Sequence, residues 1–402
     1  MKKKVILRIS VVSVVIVVLL LIIILIIIPQ LAILDCVNRS EYTYQSPENI
    51  NDGFEVGSLD EVNIDSMLIE KAVKEIRCCK YPEVHSMLIF KDDKLVFEEY
   101  FTGHKWQYDA PNHHGELVSW TKSMPHNIHS DTKSITSACI GIAIELGFIE
   151  SVNQSIFDYL PDHQHLSIDG KDKITIEHLL TMTSGLEWPE WSAPYSSLDN
   201  PEIGIWWSEK DPLSYILEKP LIAEPGTYYI YSGGNMKVLG EILRYASNMS
   251  LDDFSNKYLF EPLGIDSANW TDRFESGVIN AASGLYLTPR AMTKIGVTFL
   301  NNGVWNETQI ISEQWVEKSA APYPSNTGID VPGEDSGILG YSHSWWTKQY
   351  SKSNMYSAGG FGGQHIMILP DLNTVVVFTG GNYLTYRPPF KILEEYIIPS
   401  FE

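Results

Sequence analysis

The strongest hydrophobic pattern of the chain lies near its beginning. From Ile9 to Ile28 only Ser10 and Ser13 interrupt a run of Val, Ile and Leu, and about 20 apolar residues suffice for a helix to cross a bilayer. Basic residues precede this run and acidic residues follow it, which by the positive-inside rule leaves the N-terminus in the cytoplasm. The pattern predicts a transmembrane anchor within residues 1–30 and an extracytoplasmic remainder. A cleaved signal peptide is the alternative, but its apolar core is usually only about 7–15 residues long.

The next segment, residues 31–58, is polar without clear periodicity, which is typical of a tether. We expect residues 59–402 to form one globular domain. At its start, apolar residues recur at near-helical spacing through "SLDEVNIDSMLIEKAVKEIR", residues 58–77, and predict a helix.

Strand patterns stand at both ends of this domain. "HSMLIF" and "KLVFEEYF" flank a "KDD" turn, and near the end "QHIMILP" and "NTVVVFTGG" flank "PDLN". Between about 130 and 300 helical patterns dominate, broken by Pro and Gly. We therefore predict a mixed α/β fold, in which an antiparallel sheet from the N- and C-terminal segments is flanked by helices and joined by a helical lobe.

Composition narrows the classes of partner. The chain has 402 residues and a net charge of −21, so a nucleic-acid partner is excluded because phosphate binding relies on a basic surface. The four cysteines form neither a C-x-x-C metal pattern nor a disulfide framework, and we expect buried or free thiols.

The pattern S-x-x-K occurs twice, at Ser119 with Lys122 and at Ser130 with Lys133. A proline at position 125 would stop a helix soon after Lys122. By contrast, "SITSACIGIAIELG" follows Lys133 with apolar residues at helical spacing and a glycine stop at position 147. Only the second pair is predicted to lie on a good helix.

On a helix, residues three apart share one face, so the Lys133 amine can approach the Ser130 hydroxyl. Burial would lower the pKa of Lys133 and let it accept a proton, and the N–H groups of the helix start suit a developing oxyanion. The alternative is that Ser130 or Asp131 only caps the helix and Lys133 is solvated.

Four further segments follow in order: "TIEHLLTMTSGLEW", "EPGTYYIYSGGNMKVLGEIL", "ASGLYLTPRAMTKIG" and "YSAGGFGGQHIMILPDLNTVVVFTGG". Together with S-D-T-K, these motifs resemble the serine β-lactamase-like family, which includes class C β-lactamases, penicillin-binding D,D-peptidases, esterases and 6-aminohexanoate-dimer hydrolases. The similarity runs from about residue 60 to the C-terminus, and the last three segments look closest to the aminohexanoate branch.

The resemblance implies a catalytic set. Ser130 would be the acylated nucleophile, Lys133 its general base, and Tyr231 of "YSG" the tyrosine of the family's Y-[AS]-N motif. We expect a phenol near the Lys133 ammonium to have a lowered pKa and to relay a proton to the leaving group. Tyr231 could alternatively be a core aromatic residue.

The family's third motif, K-T-G or H-x-G, lies on an edge strand beside the serine. Here it corresponds to Ala358, Gly359 and Gly360, and the resemblance implies that the N–H groups of Ser130 and Phe361 form the oxyanion site.

Two departures bear on the substrate. Gly233 replaces the Asn of Y-x-N, and Ala358 replaces the Lys or His that helps bind a substrate carboxylate, so both changes weaken the case for β-lactam hydrolysis. Gly233 and His365 are possible substrate-binding positions, although an ordinary strand histidine is the alternative for His365.

The remaining candidates are weaker. A histidine-rich span has no carboxylate or cysteine at ligand spacing, so we expect a solvated loop and no metal; its members are His113, His114, His126 and His129. Tryptophans near the second motif could wall an apolar pocket, although most should be packing residues; they are Trp188, Trp191, Trp206 and Trp207.

These features predict a membrane-anchored serine hydrolase that acts on a small-molecule ester, amide or peptide without a metal or organic cofactor. A β-lactamase or D,D-carboxypeptidase is the nearest alternative. A non-catalytic binding or signalling ectodomain with the same fold is the alternative from another class.

Overall fold

The computed structural model of the protein describes residue 16 and residues 41–351 and 353–401. The predicted transmembrane anchor, apart from residue 16, and the first part of the predicted tether lie outside the described residues. Among the described residues, no helix combines the length and apolar character needed to cross a membrane.

The described chain alternates short strands with helices. The α-helices are α1 (Ser66–Arg77), α2 (Asp131–Glu145), α3 (Ile176–Leu180), α4 (Pro201–Gly204), α5 (Pro212–Leu217), α6 (Gly233–Ser247), α7 (Leu251–Ser255), α8 (Pro289–Leu300), α9 (Glu313–Ala320) and α10 (Pro389–Ile392). The strands are β1 (Val84–Lys91), β2 (Lys94–Tyr100), β3 (Thr102–Trp106), β4 (His114–Ser119), β5 (His126–Asn127), β6 (Asn269–Trp270), β7 (Leu285–Leu287), β8 (Val304–Trp305), β9 (Thr308–Gln309), β10 (Ile329–Asp330), β11 (Ile338–Tyr341), β12 (Trp346–Gln349), β13 (Asn354–Gly360), β14 (Gln364–Leu369) and β15 (Thr374–Gly380).

The main sheet joins the two ends of the domain. Its order is β10-β11-β12-β13-β14-β15-β1-β2, and neighbouring strands run antiparallel. The pairing of β15 with β1 sets Phe378 opposite Met87. Both predicted hairpins, β1–β2 and β14–β15, are therefore confirmed, as is the mixed α/β architecture.

Helices cover this sheet and build the lobe. α8 packs against β14, β15 and β1, whereas α2 packs against β13 and β14 on one side and against α6 on the other. Residues 131–143 of α2 are all buried. The serine-bearing helix is thus held between the sheet and the helical lobe.

The first predicted helix is shorter than its apolar pattern. Asn63 takes a left-handed φ of 55°, and the Asp65 carboxylate accepts a hydrogen bond of 2.9 Å from Met67 N to cap a helix that begins at Ser66. The helix prediction for residues 58–77 is therefore wrong before Ser66.

Part of the predicted tether packs on the domain. The Tyr44 hydroxyl donates a 2.7 Å hydrogen bond to the carbonyl oxygen of Val96. Phe54 is buried and meets the Trp305 ring edge-on at 5.4 Å between centroids. The packed part of the chain therefore includes residues that the polar pattern assigned to the tether.

The three cysteines among the described residues differ in environment. Cys139 is a buried thiol in α2 and Cys79 is an exposed thiol, whereas Cys78 is disulfide-bonded. The expectation of free or buried thiols is therefore wrong for Cys78, because sequence spacing does not reveal which chain segments meet.

Candidate active site

A sharp turn places Ser130 at the start of α2. The chain leaves β5, and His129 takes a left-handed φ of 46°, which is uncommon for a residue other than glycine. The Asn127 side-chain oxygen accepts a 2.9 Å hydrogen bond from His129 N and holds this turn. Ser130 occupies the N-cap position, yet its side chain makes no capping hydrogen bond. The alternative that Ser130 only caps the helix is therefore wrong.

Lys133 reaches Ser130 from within the helix. Its Nζ lies 2.9 Å from Ser130 Oγ and donates a 3.2 Å hydrogen bond to the carbonyl oxygen of Ala282. The side chain is only 3% exposed, and burial lowers the pKa of Lys133 while the Glu190 and Glu202 carboxylates oppose that shift. The direction agrees with the expectation from the sequence, and it favours a neutral amine that can accept a proton.

Tyr231 completes this group. Lys133 Nζ lies 4.8 Å from the centre of the Tyr231 ring. Burial raises the pKa of Tyr231 well above its ordinary value and Glu190 adds to the effect, while contact with the Ser130 hydroxyl opposes it. The prediction of a lowered pKa is therefore wrong, because burial and neighbouring carboxylates outweigh any pull from Lys133. The phenol keeps its proton at neutral pH.

The end of β13 lies beside Ser130. β13 is an inner strand of the sheet, but its pairing with β12 ends at Ser357. Only the last residues of β13 are therefore unpaired on that side, as in the edge strand that carries the family's third motif. A Cβ atom on Gly360 would come within 2.3 Å of the Ile128 carbonyl oxygen, which explains the glycine at this close approach.

The predicted oxyanion donors are free of internal acceptors. Within the described part of the chain, neither the N–H of Ser130 nor that of Phe361 donates a hydrogen bond to a protein oxygen. Both residues line the two cavities described next. They are therefore open to a carbonyl oxygen of a bound substrate.

Two cavities meet at Ser130. The larger has a volume of about 580 Å³ and the smaller about 150 Å³. Aromatic residues line much of the larger cavity, namely Trp106, Tyr108, Tyr195, Trp206, Trp207, Tyr286 and Phe361. Trp191 lines the smaller one and stacks on Tyr231 with 4.9 Å between ring centroids. Trp188 is instead buried in the core, so three of the four tryptophans wall the cavities.

Gly233 makes room for a buried ion pair. A Cβ atom there would lie 1.8 Å from Glu202 Oε1, and this carboxylate receives hydrogen bonds of 2.7 and 2.9 Å from Lys237 Nζ. Gly233 N also donates a 2.7 Å hydrogen bond to Glu190. The position that carries Asn in the family's motif is thus occupied by acidic groups from another segment.

The sequence patterns did not identify Glu190 and Glu202 as residues of the site. They lie in "EWPEWSAPYSSLDNPEIG" between the second motif and Tyr231, where nothing in their spacing distinguishes them from surface carboxylates. Both line the larger cavity. Burial raises the pKa of Glu190, and the Glu202 carboxylate acts in the same direction.

Three of the predicted positions are absent from the described residues that line the two cavities, namely Gly233, Ala358 and His365. Ala358 is a buried residue of β13, and His365 is only 1% exposed, with Nε2 3.6 Å from Glu334 Oε1. The packing favours the ordinary strand histidine over a substrate-binding role for His365.

The other S-x-x-K pattern, Ser119 with Lys122, lies apart from this site. Ser119 is the last residue of β4, and Lys122 forms an ion pair with Glu48 at the surface. The prediction that only Ser130 and Lys133 share a helix is confirmed.

The histidine-rich span is not a solvated loop. His113, His126 and His129 are buried, and His114 is half-buried. Burial lowers the pKa of His129 to about 3, so this neighbour of Ser130 is a neutral imidazole. The loop prediction is wrong because these histidines pack against aromatic rings, both from nearby residues such as Trp106 and Trp120 and from the distant Phe361.

Comparison with known proteins points to one family. Residues 84–383 match the sequence model of the family described as Beta-lactamase. A "Putative D-alanyl-D-alanine carboxypeptidase" of Salmonella agona is 26% identical over 216 residues, which cover 52% of this chain and 48% of that protein. The chain thus spans about half the length of the curated relatives it matches.

Solved structures share the fold at low identity. A "Putative 6-aminohexanoate-dimer hydrolase from Bacillus anthracis" has a TM-score of 0.64 and 19% identity, with 90% of this chain and 88% of that chain covered. The penicillin-binding protein from Bacillus halodurans has a TM-score of 0.60 and 18% identity, with 84% and 99% covered.

Proposed function

Since this chain belongs to the β-lactamase family, we propose that it is a serine hydrolase that cleaves ester or amide bonds through an acyl-enzyme on Ser130. The observation that carries this proposal is the 2.9 Å contact between a buried lysine amine and a serine hydroxyl at the junction of two cavities. A nucleophile within hydrogen-bonding reach of its base is the signature of covalent catalysis.

In the first half-reaction, Lys133 takes the hydroxyl proton while Ser130 Oγ attacks the substrate carbonyl carbon. Its lowered pKa suits this role, because a neutral amine has a lone pair to accept that proton. The carbonyl oxygen becomes an oxyanion, which the N–H groups of Ser130 and Phe361 stabilise.

Collapse of this intermediate needs a proton for the leaving group. Tyr231 retains its phenolic proton and lies beside both Ser130 and Lys133. It donates this proton to the leaving alcohol or amine and is reprotonated by the Lys133 ammonium. A water molecule then attacks the ester on Ser130, and the same groups move its proton to Ser130 Oγ as the acid product leaves.

The nearest alternative is a D,D-carboxypeptidase or β-lactamase. The name of the Salmonella agona relative favours a carboxypeptidase. Against this, Ala358 is buried and places no cation at the end of β13 for a substrate carboxylate. A non-catalytic ectodomain is disfavoured, because a buried Lys133 whose Nζ is directed at Ser130 costs stability without serving a binding surface.

The acidic lining of the larger cavity predicts a substrate whose acyl group carries a positive charge. The lining includes Asp272, Glu190 and Glu202. Glu202 is paired with Lys237 and burial raises the pKa of Glu190, so Asp272 is the acidic group on which the preference depends. Arg273, which also lines the cavity, is held 2.6 Å from Asp252.

We expect a 6-aminohexanoyl anilide to be hydrolysed with a kcat/KM at least about 10-fold above that of an adipoyl anilide of equal length. One carboxylate attracts an ammonium group and repels a carboxylate by about 1 kcal/mol each, so the two substrates differ by about 2 kcal/mol.

Kinetics with these two anilides measure the preference directly. Asp272→Asn should reduce the preference for the 6-aminohexanoyl compound. Asp253→Asn removes a carboxylate that does not line the cavity, and it should leave the preference unchanged. Faster hydrolysis of the adipoyl compound by the wild-type protein would contradict this assignment of the acyl group.

We also propose that residues 1–30 anchor the protein in a membrane with its hydrolase domain outside the cytoplasm. The apolar run of residues 9–28 supports the anchor. The disulfide at Cys78 supports an oxidising compartment. Extraction of the full chain should require detergent, and a variant lacking residues 1–30 should be released without it. A mature N-terminus after residue 28 would exclude the anchor.

A further inference from the structure

A cluster of two histidines and one carboxylate lies next to the larger cavity. Glu83 immediately precedes β1, His104 lies in β3 and His114 begins β4. One ligand atom from each lies within 4.8 Å of those from the other two. Glu83 Oε1 is 2.8 Å from His104 Nδ1, and all three side chains are half-buried.

We propose that Glu83, His104 and His114 bind one divalent transition-metal ion, with Zn²⁺ as the preferred ion. Two imidazoles and one carboxylate are a donor set suited to Zn²⁺ or Co²⁺ rather than to Mg²⁺ or Ca²⁺, which prefer all-oxygen sites. The span from His113 to His129 holds no carboxylate or cysteine at ligand spacing, so no metal was expected there. The fold supplies Glu83 and His104 from outside that span.

Neighbouring groups orient these ligands. His85 Nε2 is 3.2 Å from the second carboxylate oxygen of Glu83, and the backbone N–H of His104 donates a 2.9 Å hydrogen bond to the same oxygen. Partners of this kind fix the direction of a ligating carboxylate. The carboxylate is therefore already held toward the two imidazoles.

Binding requires one local movement. The His104 and His114 rings are parallel, with 4.5 Å between their centroids and an angle of 1° between their planes. A metal ion lies in the plane of each ligating imidazole, so one ring has to turn. His114 is the ring that turns, because only its hydrogen bond of 2.9 Å to the Gly381 carbonyl oxygen has to be released.

The site connects to the wall of the larger cavity. Trp106, at the end of β3, packs against Tyr383 with 4.7 Å between ring centroids, and Tyr383 also contacts Phe361 at 5.5 Å. Trp106 and Phe361 both line that cavity. An ion on the β3–β4 hairpin would therefore stiffen a wall of the substrate site without taking part in the acyl transfer.

Metal titration of the full-length, chelator-stripped protein tests this site. Co²⁺ should bind with a stoichiometry of one per chain and give the visible absorption of a low-coordinate nitrogen and oxygen site, and Zn²⁺ should displace it. His104→Ala and His114→Ala should each weaken Zn²⁺ binding at least about 10-fold. His165→Ala, which removes an exposed histidine elsewhere, should bind as the wild type does.

A second readout covers the case of a variant that folds poorly. Saturating Zn²⁺ should raise the melting temperature of the wild-type protein and of His165→Ala, because a ligand that binds only the folded state stabilises it. It should not raise that of Glu83→Gln or His114→Gln, which keep the side-chain size. Absence of saturable binding, or equal affinity in all variants, would show that the cluster is only a hydrogen-bonded brace of the hairpin.

Discussion

Replacing Ser130 by alanine is expected to lower kcat for a nitrophenyl ester by about 10³-fold or more, because the change removes the nucleophile that carries the acyl group. The variant should still fold. The Ser130 hydroxyl makes no capping hydrogen bond, and alanine fits the helical backbone of this position (φ −68°, ψ −11°). Steady-state kinetics together with thermal melting separate lost chemistry from lost structure.

The chain offers a matched control for this experiment. Ser119 belongs to the second S-x-x-K pattern, yet it lies at the end of β4 and away from both cavities. Ser119→Ala should keep wild-type rates. Equal loss of activity in both variants, or full activity of Ser130→Ala, would refute the nucleophile assignment.

The second large effect is expected at Lys133. Lys133→Ala should slow acylation by on the order of 10²–10⁴-fold, the usual contribution of a positioned general base. Lys133→Arg should be nearly as slow although it preserves positive charge, because a guanidinium does not lose its proton in proteins. Lys122→Ala is the matched control, since Lys122 pairs with Glu48 at the surface, and it should behave as the wild type does.

The pH profile gives Lys133 a readout that a structural role would not move. Burial lowers its pKa, so the neutral base is present above this lowered value and is lost as pH falls through it. The kcat/KM of the wild type should therefore rise with a midpoint below 10.5, the ordinary lysine pKa. Tyr231 adds no basic limb near neutrality because its pKa is raised. A rate that first rises only at the ordinary lysine pKa would contradict this role of Lys133.

Local patterns were enough to predict the serine-bearing helix and both hairpins. In α2, apolar spacing and a glycine with φ of 76° at position 147 mark a helix that the structure confirms. In β1–β2 and β14–β15, runs rich in apolar and β-branched residues flank polar turns. The family resemblance then assigned site residues to these elements. The family match confirms both the resemblance and the serine hydrolase class.

Features that depend on distant contacts were not predictable from spacing. From the sequence, Gly233 only removed the amide side chain of the family's motif. In the structure, the space beside Gly233 is filled by the Glu202 carboxylate, which is paired with Lys237. The raised pKa of Tyr231 follows from burial and from carboxylates that sequence does not place beside it. His104 approaches His114 because β3 and β4 pair, and Glu83 joins them because the chain before β1 is hydrogen-bonded to His104.

Covalent labelling identifies the nucleophile directly, because the reagent stays bound to the residue that attacks it. The full-length protein would be incubated with a fluorophosphonate, digested and sequenced by mass spectrometry. We expect one label per chain on Ser130, no such label in Ser130→Ala, and slower labelling in Lys133→Arg. A label on another residue, or none on folded wild-type protein, would contradict the proposed acyl-enzyme.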